Sequence, residues 1–419
     1  MSRIKNKLDA HKKIIENFSY VTLLQVFILL APLITYPYLI KVLGREMYGV
    51  ILSAQMLSSY ASIIIDFGSN NVCAKHVSIA RRDKEKLSVI LSSVLFVRFL
   101  LFCACFVIYI SVTLVVPIYR EYFWLFILTY GLTFNDVLFP QFYFQGIENM
   151  KAITLINILT KFLFIVLVFV VVTAPGDYLF VPLLYTIGYM LGGILSLYII
   201  TRKHNIIFSK PTKSQAMYYV KDSFPLFATE LICTIKDKLN YILVGAFIGM
   251  GEVVIYDLAL KLHSLLTKPM GILTTVLLPR FAVTRNVKQL KKVILLSFII
   301  TSCLVALINV FLPQISFFFL HEKIDLLPIR VFLLAPIFVS VGSVISSNLF
   351  IAFGYNRYVF ISIVVTTSVY VLTLFVLFVL GQLHSIYSFV GLAVISYLTE
   401  FVYRVTKVSQ VKIHKRDLT

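Results

Sequence analysis

The sequence predicts an all-α polytopic membrane protein of about twelve transmembrane helices in two six-helix halves. Three observations carry this expectation. The 419 residues are 59% hydrophobic and only 14% charged, unlike a soluble core of that length. Apolar runs of about 20 residues, enough to cross a ~30 Å hydrocarbon layer as a helix, recur from end to end. The runs are continuous rather than alternating, which favours helices over barrel strands, because backbone polar groups in lipid must be satisfied within the segment.

The spans fall at 18–41, 48–69, 87–116, 122–145, 152–174 and 179–201, then 219–248, 253–279, 293–320, 328–353, 358–380 and 384–405. The basic start, MSRIKNKLDAHKK, reads as a tail leading into a full-length span and not as a cleavable signal. Span 2 carries Gln55, Ser59, Ser62 and Asp66 as one continuous polar stripe. Span 3 holds Arg98 and the pair Cys103 and Cys105, too little for a metal site; Cys73, Cys233 and Cys303 complete a set expected as free, buried thiols. Span 4 holds Asp136, and span 5 a row of Thr154, Asn157 and Lys161. Gly188 and Gly192 in span 6, and Gly245 and Gly249 at the end of span 7, have the spacing of helix-packing faces. Span 7 places Glu230, Thr234 and Asp237 in a row, with Lys236 and Lys238 to either side. Span 8 aligns Asp257, Lys261, Ser264 and Lys268 before Pro269. Span 10 repeats serine at 340, 343 and 347 beside Asn348, and Glu400 lies near the end of span 12. Ser and Thr stripes of this kind serve packing more often than pores.

Charge sets the orientation. With the N-terminus in the cytoplasm and residues at span ends counted with the adjoining face, 27 of the 38 Lys and Arg residues are cytoplasmic, five lie outside and six lie deep within the spans. This positive-inside asymmetry places both termini in the cytoplasm. The formal charge of +19 is then topological, matched to anionic lipid headgroups. Nucleic-acid binding is excluded, since no soluble domain presents a groove. The longest loop, 202–218, divides an N-terminal lobe, 1–201, from a C-terminal lobe, 219–419. Gly44 and Gly249, like Gly176 and Gly381, lie 205 apart, Gly146 and Gly354 lie 208 apart, and RRDKEK (81–86) has a counterpart in RNVKQLKK (285–292). These offsets predict two parallel repeats, an arrangement in which transporters bind substrate between the halves.

A charge at the bilayer centre costs about 2.5–3.5 kcal/mol even on the lenient insertion scale, so intramembrane cations face protein or an aqueous cavity. Asp257 and Lys261, at i and i+4, can neutralise one another. Arg98, Lys161 and Lys268 have no acid at i±3 or i±4 and are read as facing a cavity that takes an anion. Arg would grip a pyrophosphate bidentately, whereas Lys acts as a mobile point charge that permits release. The candidate anion set is Arg98, Lys161, Lys236, Lys261 and Lys268. Asp66, Asp136, Glu230, Asp237 and Asp257 are candidate proton or cation coupling groups. No cofactor and no metal is expected.

QVFILLAPLITYPYLIKVLGREMYGV (25–50) and IIIDFG (63–68) resemble the N-terminal signature of Wzx-type flippases, the O-antigen and polysaccharide repeat-unit exporters of the multidrug/oligosaccharidyl-lipid/polysaccharide superfamily. YFQGIENMKAITLINILTK (143–161) is similar to that family's fourth-to-fifth helix junction, and FPLFATELICTIKDKLNYILVGAFIGMGEVVIYDLALKL (224–262) to the start of its second half. The resemblance implies two lobes around a central cationic cavity in the bacterial inner membrane. It implies an undecaprenyl-pyrophosphate-linked oligosaccharide moved from the cytoplasmic to the periplasmic leaflet by alternating access, coupled to protons, sodium or membrane potential. A polysaccharide polymerase and a chain-length regulator enter as candidate partners, besides membrane lipids. The family's charged residues vary among members, so the site residues above rest on this sequence alone.

Two other classes compete. A cation-coupled drug exporter of the same superfamily would want an acidic cavity, whereas here the cations without an acid nearby in sequence dominate. A membrane polymerase or ligase would want a large outer loop, and the outer loops are as short as 175–178 and 249–252. The chain is therefore read as a transporter and not an enzyme.

Overall fold

The structure, a computed structural model, describes residues 2–411, without the side chains of residues 2–15, 18, 233 and 235–237. The regular elements of the described residues are all helices, with no strand among them. Twelve helical segments follow one another: α1 (Ser2–Leu43), α2 (Arg45–Ile79), α3 (Lys84–Val115), α4 (Phe123–Gly146), α5 (Met150–Val171), α6 (Pro175–Lys203), α7 (Lys213–Phe247), α8 (Met250–Thr284), α9 (Val287–Leu320), α10 (Leu327–Ile351), α11 (Asn356–Val379) and α12 (Ile386–Val408). Among the described residues, ten of these are long and apolar enough to cross a membrane, one of them α1 over Ser19–Leu43. The other two are α7 and α8, 35 residues each, which carry Glu230, Lys238, Asp257, Lys261 and Lys268. Length is ample there; ionisable side chains lower the hydropathy.

Several segments are interrupted. The α2 helix stops at Asp66 and resumes at Ser69, because Phe67 (φ 41°) and Gly68 (φ 73°) both adopt the left-handed conformation. A 3₁₀ turn at Gly131–Thr133 breaks α4, and a π-helix at Ile345–Ile351 ends α10. Side chains start other helices: Asp83 accepts from the Lys86 N–H (3.1 Å), Asn149 from Ala152 (3.1 Å) and Asn286 from Gln289 (2.9 Å), each satisfying an orphan donor of a first turn.

The chain forms two compact units, residues 1–235 and 236–419. The division falls within α7, because the first half of that helix is tied into the first unit. His76 Nε2 and Asp222 Oδ2 lie 2.7 Å apart, and Tyr219 joins the first unit's core with Ile90, Leu91 and Phe142. The two units repeat one packing pattern. In the first, α4 packs on α2, α3 and α6, and α5 on α6; in the second, α10 packs on α8, α9 and α12, and α11 on α12. The caps Asp83 and Asn286 occupy equivalent places before α3 and α9. Gly44 and Gly249 are equivalent turn residues with positive φ.

The 208-residue pairing of Gly146 with Gly354 needs correction. The residue equivalent to Gly354 (φ 87°) is Glu148 (φ 59°): the next N–H bonds five residues back in both, Asn149 to Phe144 (2.8 Å) and Tyr355 to Phe350 (2.7 Å). Gly146 is helical and lies against Val77 and Ala74. The Gly245–Gly249 pair divides similarly. Gly245 packs on Met250 and Val253, whereas Gly249 makes the turn into α8. Gly188 and Gly192 do form a packing face, both against Thr160.

Beside the basic loop after α6, His204 Nδ1 lies 2.7 Å from the Tyr143 hydroxyl. Burial, then Lys203 and Lys84, hold the His204 pKa below its ordinary 6.5, so the neutral ring accepts this hydrogen bond. A depressed histidine binds its proton more tightly when unfolded. Its contribution to stability is therefore complete above pH ~6.5 and is lost as pH falls through the lower folded value. The thermal midpoint of the wild type should fall more steeply than that of His204→Asn as the pH drops below this window's upper edge, and equal slopes would refute the assignment.

Candidate functional site

Arg98 sits in the first unit, wholly buried, on α3. Its guanidinium is enclosed on every side. Nη2 pairs with the Asp66 carboxylate, Nη1 donates to the Asp136 carbonyl (2.7 Å), and Nε reaches Ser69 Oγ (3.0 Å), while the Phe142 ring lies 5.2 Å away. The break in α2 makes this possible, since it brings Asp66 and Ser69 to the same cation. The Asp136 carboxylate is half-buried on the same short segment of α4. Asp66, at the end of the α2 stripe, thus faces α3. The expectation that Arg98 faces a cavity is corrected: its acid comes from another helix, beyond the reach of i±4 reasoning, and its donors are used within the protein. Asp66 is correspondingly an ion-pair partner.

The second unit holds a different network. The Asp257 carboxylate on α8, 3% exposed, accepts from the Tyr241 hydroxyl at Oδ1 (2.8 Å) and pairs with Lys261 Nζ at Oδ2. The predicted i, i+4 pair is therefore formed. Lys261 keeps 26% of its side chain exposed. One residue along, Asn240 donates to Tyr256 Oη (2.8 Å) and accepts from the Tyr370 hydroxyl (2.6 Å), joining α7, α8 and α11. Asn240, Tyr241, Tyr256 and Tyr370 were not singled out from sequence. A signal existed: the α7–α8 hairpin folds about Gly249, so Tyr241 and Asp257 stand eight residues to either side.

Lys161 is half-buried on α5, Lys238 half-buried on α7, Glu230 exposed on α7 and Lys268 exposed on α8. The side chains of Lys236 and Asp237 lie outside the described residues. Glu400 pairs with Arg404, whose Nε reaches Ser362 Oγ (3.3 Å). In the α5 row Thr154 donates to the Tyr20 carbonyl (3.0 Å) and Asn157 to Ile153 (2.9 Å), so those two residues serve packing. Among the described residues no three His, Cys, Asp or Glu groups cluster as metal ligands. Cys73, Cys103, Cys105 and Cys303 are free thiols, of which Cys103 and Cys303 are exposed and not buried as expected.

Residues 14–285 match the family described as Polysaccharide biosynthesis protein. Two relatives carry the name "Putative O-antigen transporter". One, from Escherichia coli (strain K12), is 26% identical over 70% of this chain and 69% of its own length. The other, from Shigella dysenteriae, is 26% identical over 56% of this chain, which spans 59% of that relative. Among solved structures, a multidrug resistance MATE family transporter of the MOP superfamily in its inward-facing conformation superposes with a TM-score of 0.65 at 16% identity, over 91% of this chain and 98% of that one. The outward-facing conformation of a MATE family transporter gives 0.59 at 15% identity, over 94% of each chain. At such identity the likeness shows the fold.

Proposed function

Because the chain belongs to the polysaccharide biosynthesis protein family, we propose that it is a flippase for an undecaprenyl-pyrophosphate-linked oligosaccharide in the bacterial inner membrane. The substrate passes from the cytoplasmic to the periplasmic leaflet by alternating access of the two lobes, driven by an ion gradient. The observation that carries this reading is the family match over well over half of a multi-pass chain that keeps lysines within its helices. The names of the two relatives support a polysaccharide precursor as cargo.

The pyrophosphate path runs along Lys161, Lys261 and Lys268, with Lys236 as a further member. Arg98 holds the first unit together and leaves the set. Lysine suits a transient site: each ammonium offers three donors from one point charge and fixes no bidentate geometry. At Lys261 the adjoining Asp257 offsets the charge, which keeps an anion from being trapped. Asp136 and Asp257 are the proposed coupling carboxylates, with Glu230 and Asp237 on the same helix as Lys236.

The test replaces Lys161, Lys261 and Lys268 together by Gln. Surface polysaccharide should fall at least ~10-fold, the loss of more than one charge-assisted contact, with unchanged protein in the membrane. Wild-type export by the triple variant would overturn the assignment of the path.

A further inference from the structure

We propose that Tyr189, backed by Tyr185 and Phe164, stacks on the sugar joined directly to the pyrophosphate of the lipid-linked substrate. This rests on the flippase reading above and deepens it. In the first unit three rings form a staircase. Phe164 on α5 and Tyr185 on α6 stack with centroids 3.5 Å apart and planes 17° from parallel. Tyr189 continues the stack one turn along α6, 6.2 Å from Tyr185 at 19°. Phe164 is 3% exposed, whereas both tyrosines are half-buried. The face they occupy is not the lipid face. Ile187, Leu191 and Ile194, between 39% and 56% exposed, lie on the other side of α6, roughly 140–200° from Tyr189 by helix geometry.

The hydroxyls set these two tyrosines apart. Tyr109, Tyr130 and Tyr143 of the same unit engage theirs with Ser58, the Phe102 carbonyl and His204. Neither Tyr185 nor Tyr189 has a hydrogen-bond partner among the described residues. A half-buried hydroxyl turned from the lipid is satisfied by water or by a polar ligand. A sugar answers both features: its C–H bonds suit the negative face of a ring, and its hydroxyls suit a group that donates and accepts. A lipid tail would leave the tyrosine hydroxyls unused. Gly188 and Gly192, to either side of Tyr189, both pack on Thr160, so Lys161 follows at the level of Tyr189. A cationic ligand would also favour a ring face, but that lysine repels one. One level of the unit thus holds a cation for the pyrophosphate and a ring for the sugar next to it.

The experiment measures binding of two lipids to the full-length chain in nanodiscs: undecaprenyl pyrophosphate, and the same lipid bearing a single glucose. The wild type should hold the glucosyl lipid about five- to tenfold more tightly, the size of one aromatic contact. Tyr189→Leu should abolish that advantage and leave binding of the sugar-free lipid unchanged. Tyr189→Phe should keep most of it, since the ring face remains. Lys161→Gln should weaken both lipids alike. Should Tyr189→Leu fail to fold, Tyr189→Met fills a similar volume without a ring and takes its place. Equal binding of the two lipids by the wild type, an advantage retained by Tyr189→Leu, or loss of both lipids together in that variant would overturn the stacking role and leave the flippase reading standing. Unchanged binding of both lipids by Lys161→Gln would move the pyrophosphate away from this level, and the stacked sugar with it. Binding of neither lipid by the wild type would instead contradict the flippase reading itself.

Discussion

Arg98→Ala is expected to prevent the protein from accumulating in folded form. Removing one partner of a buried ion pair costs about 3–5 kcal/mol, because the other charge is left uncompensated. Here the residue left behind is Asp66, and Ser69 Oγ and the Asp136 carbonyl lose a donor with it. A loss of that size is a large share of the ~5–15 kcal/mol that holds a typical domain together. Arg98→Lys should rescue only in part, since one ammonium cannot reach the three positions that the guanidinium fork spans. Arg98→Met with Asp66→Leu should be more stable than Arg98→Ala, because no charge is stranded. The yield of folded protein in the membrane measures the first, and thermal melting of detergent-solubilised protein the variants that accumulate. An Arg98→Ala variant that melts with the wild type would show that the cation is dispensable to the fold.

Gly68→Val should be nearly as damaging, through the backbone. Gly68 has φ 73°, and a Cβ there would stand 2.8 Å from the Phe227 nitrogen and 3.0 Å from the Ser223 carbonyl oxygen. The left-handed conformation costs a side chain roughly 1–2 kcal/mol, and forcing atoms into filled space adds about 1–3 kcal/mol. Main-chain atoms of α7 cannot swing aside as a side chain would. The substitution should therefore loosen the first half of α7 from α2, seen as faster amide exchange over residues 219–228. Gly44→Val is the control: its φ is also positive, but nothing lies within 4 Å of its Cβ. Equal effects of the two would leave the conformational penalty as the sole cause.

The helical register was legible from hydropathy, and so was the pair most local in sequence. Asp257 and Lys261 stand one turn apart, and any helix brings them together. Arg98 and Asp66 are 32 residues apart, and their meeting depends on a helix break at Phe67 and Gly68. The IIIDFG segment contains that break, but a glycine after a phenylalanine does not disclose which cation the preceding aspartate will meet. The end of the α2 polar stripe, at Asp66, did lie on a face turned to another helix. Tyr241 and Asn240 were hidden by composition, since 24 tyrosines are spread through the chain. Only the fold of the α7–α8 hairpin selects these two. Glu148 is hidden for the opposite reason: sequence points to glycine for a left-handed turn, and Gly146 stands two positions earlier.

The most direct test of the flippase reading is a leaflet-resolved assay in sealed vesicles holding the purified chain and a defined undecaprenyl-pyrophosphate-linked oligosaccharide. Fluorescent lectin added outside reads the sugar on that leaflet alone. Translocation should be fast with the wild type, and slowed at least ~10-fold when Lys161, Lys261 and Lys268 are replaced by Gln, as for the loss of more than one charge-assisted contact. A wild-type rate no higher than that of protein-free vesicles, under an imposed proton, sodium or electrical gradient, would contradict it.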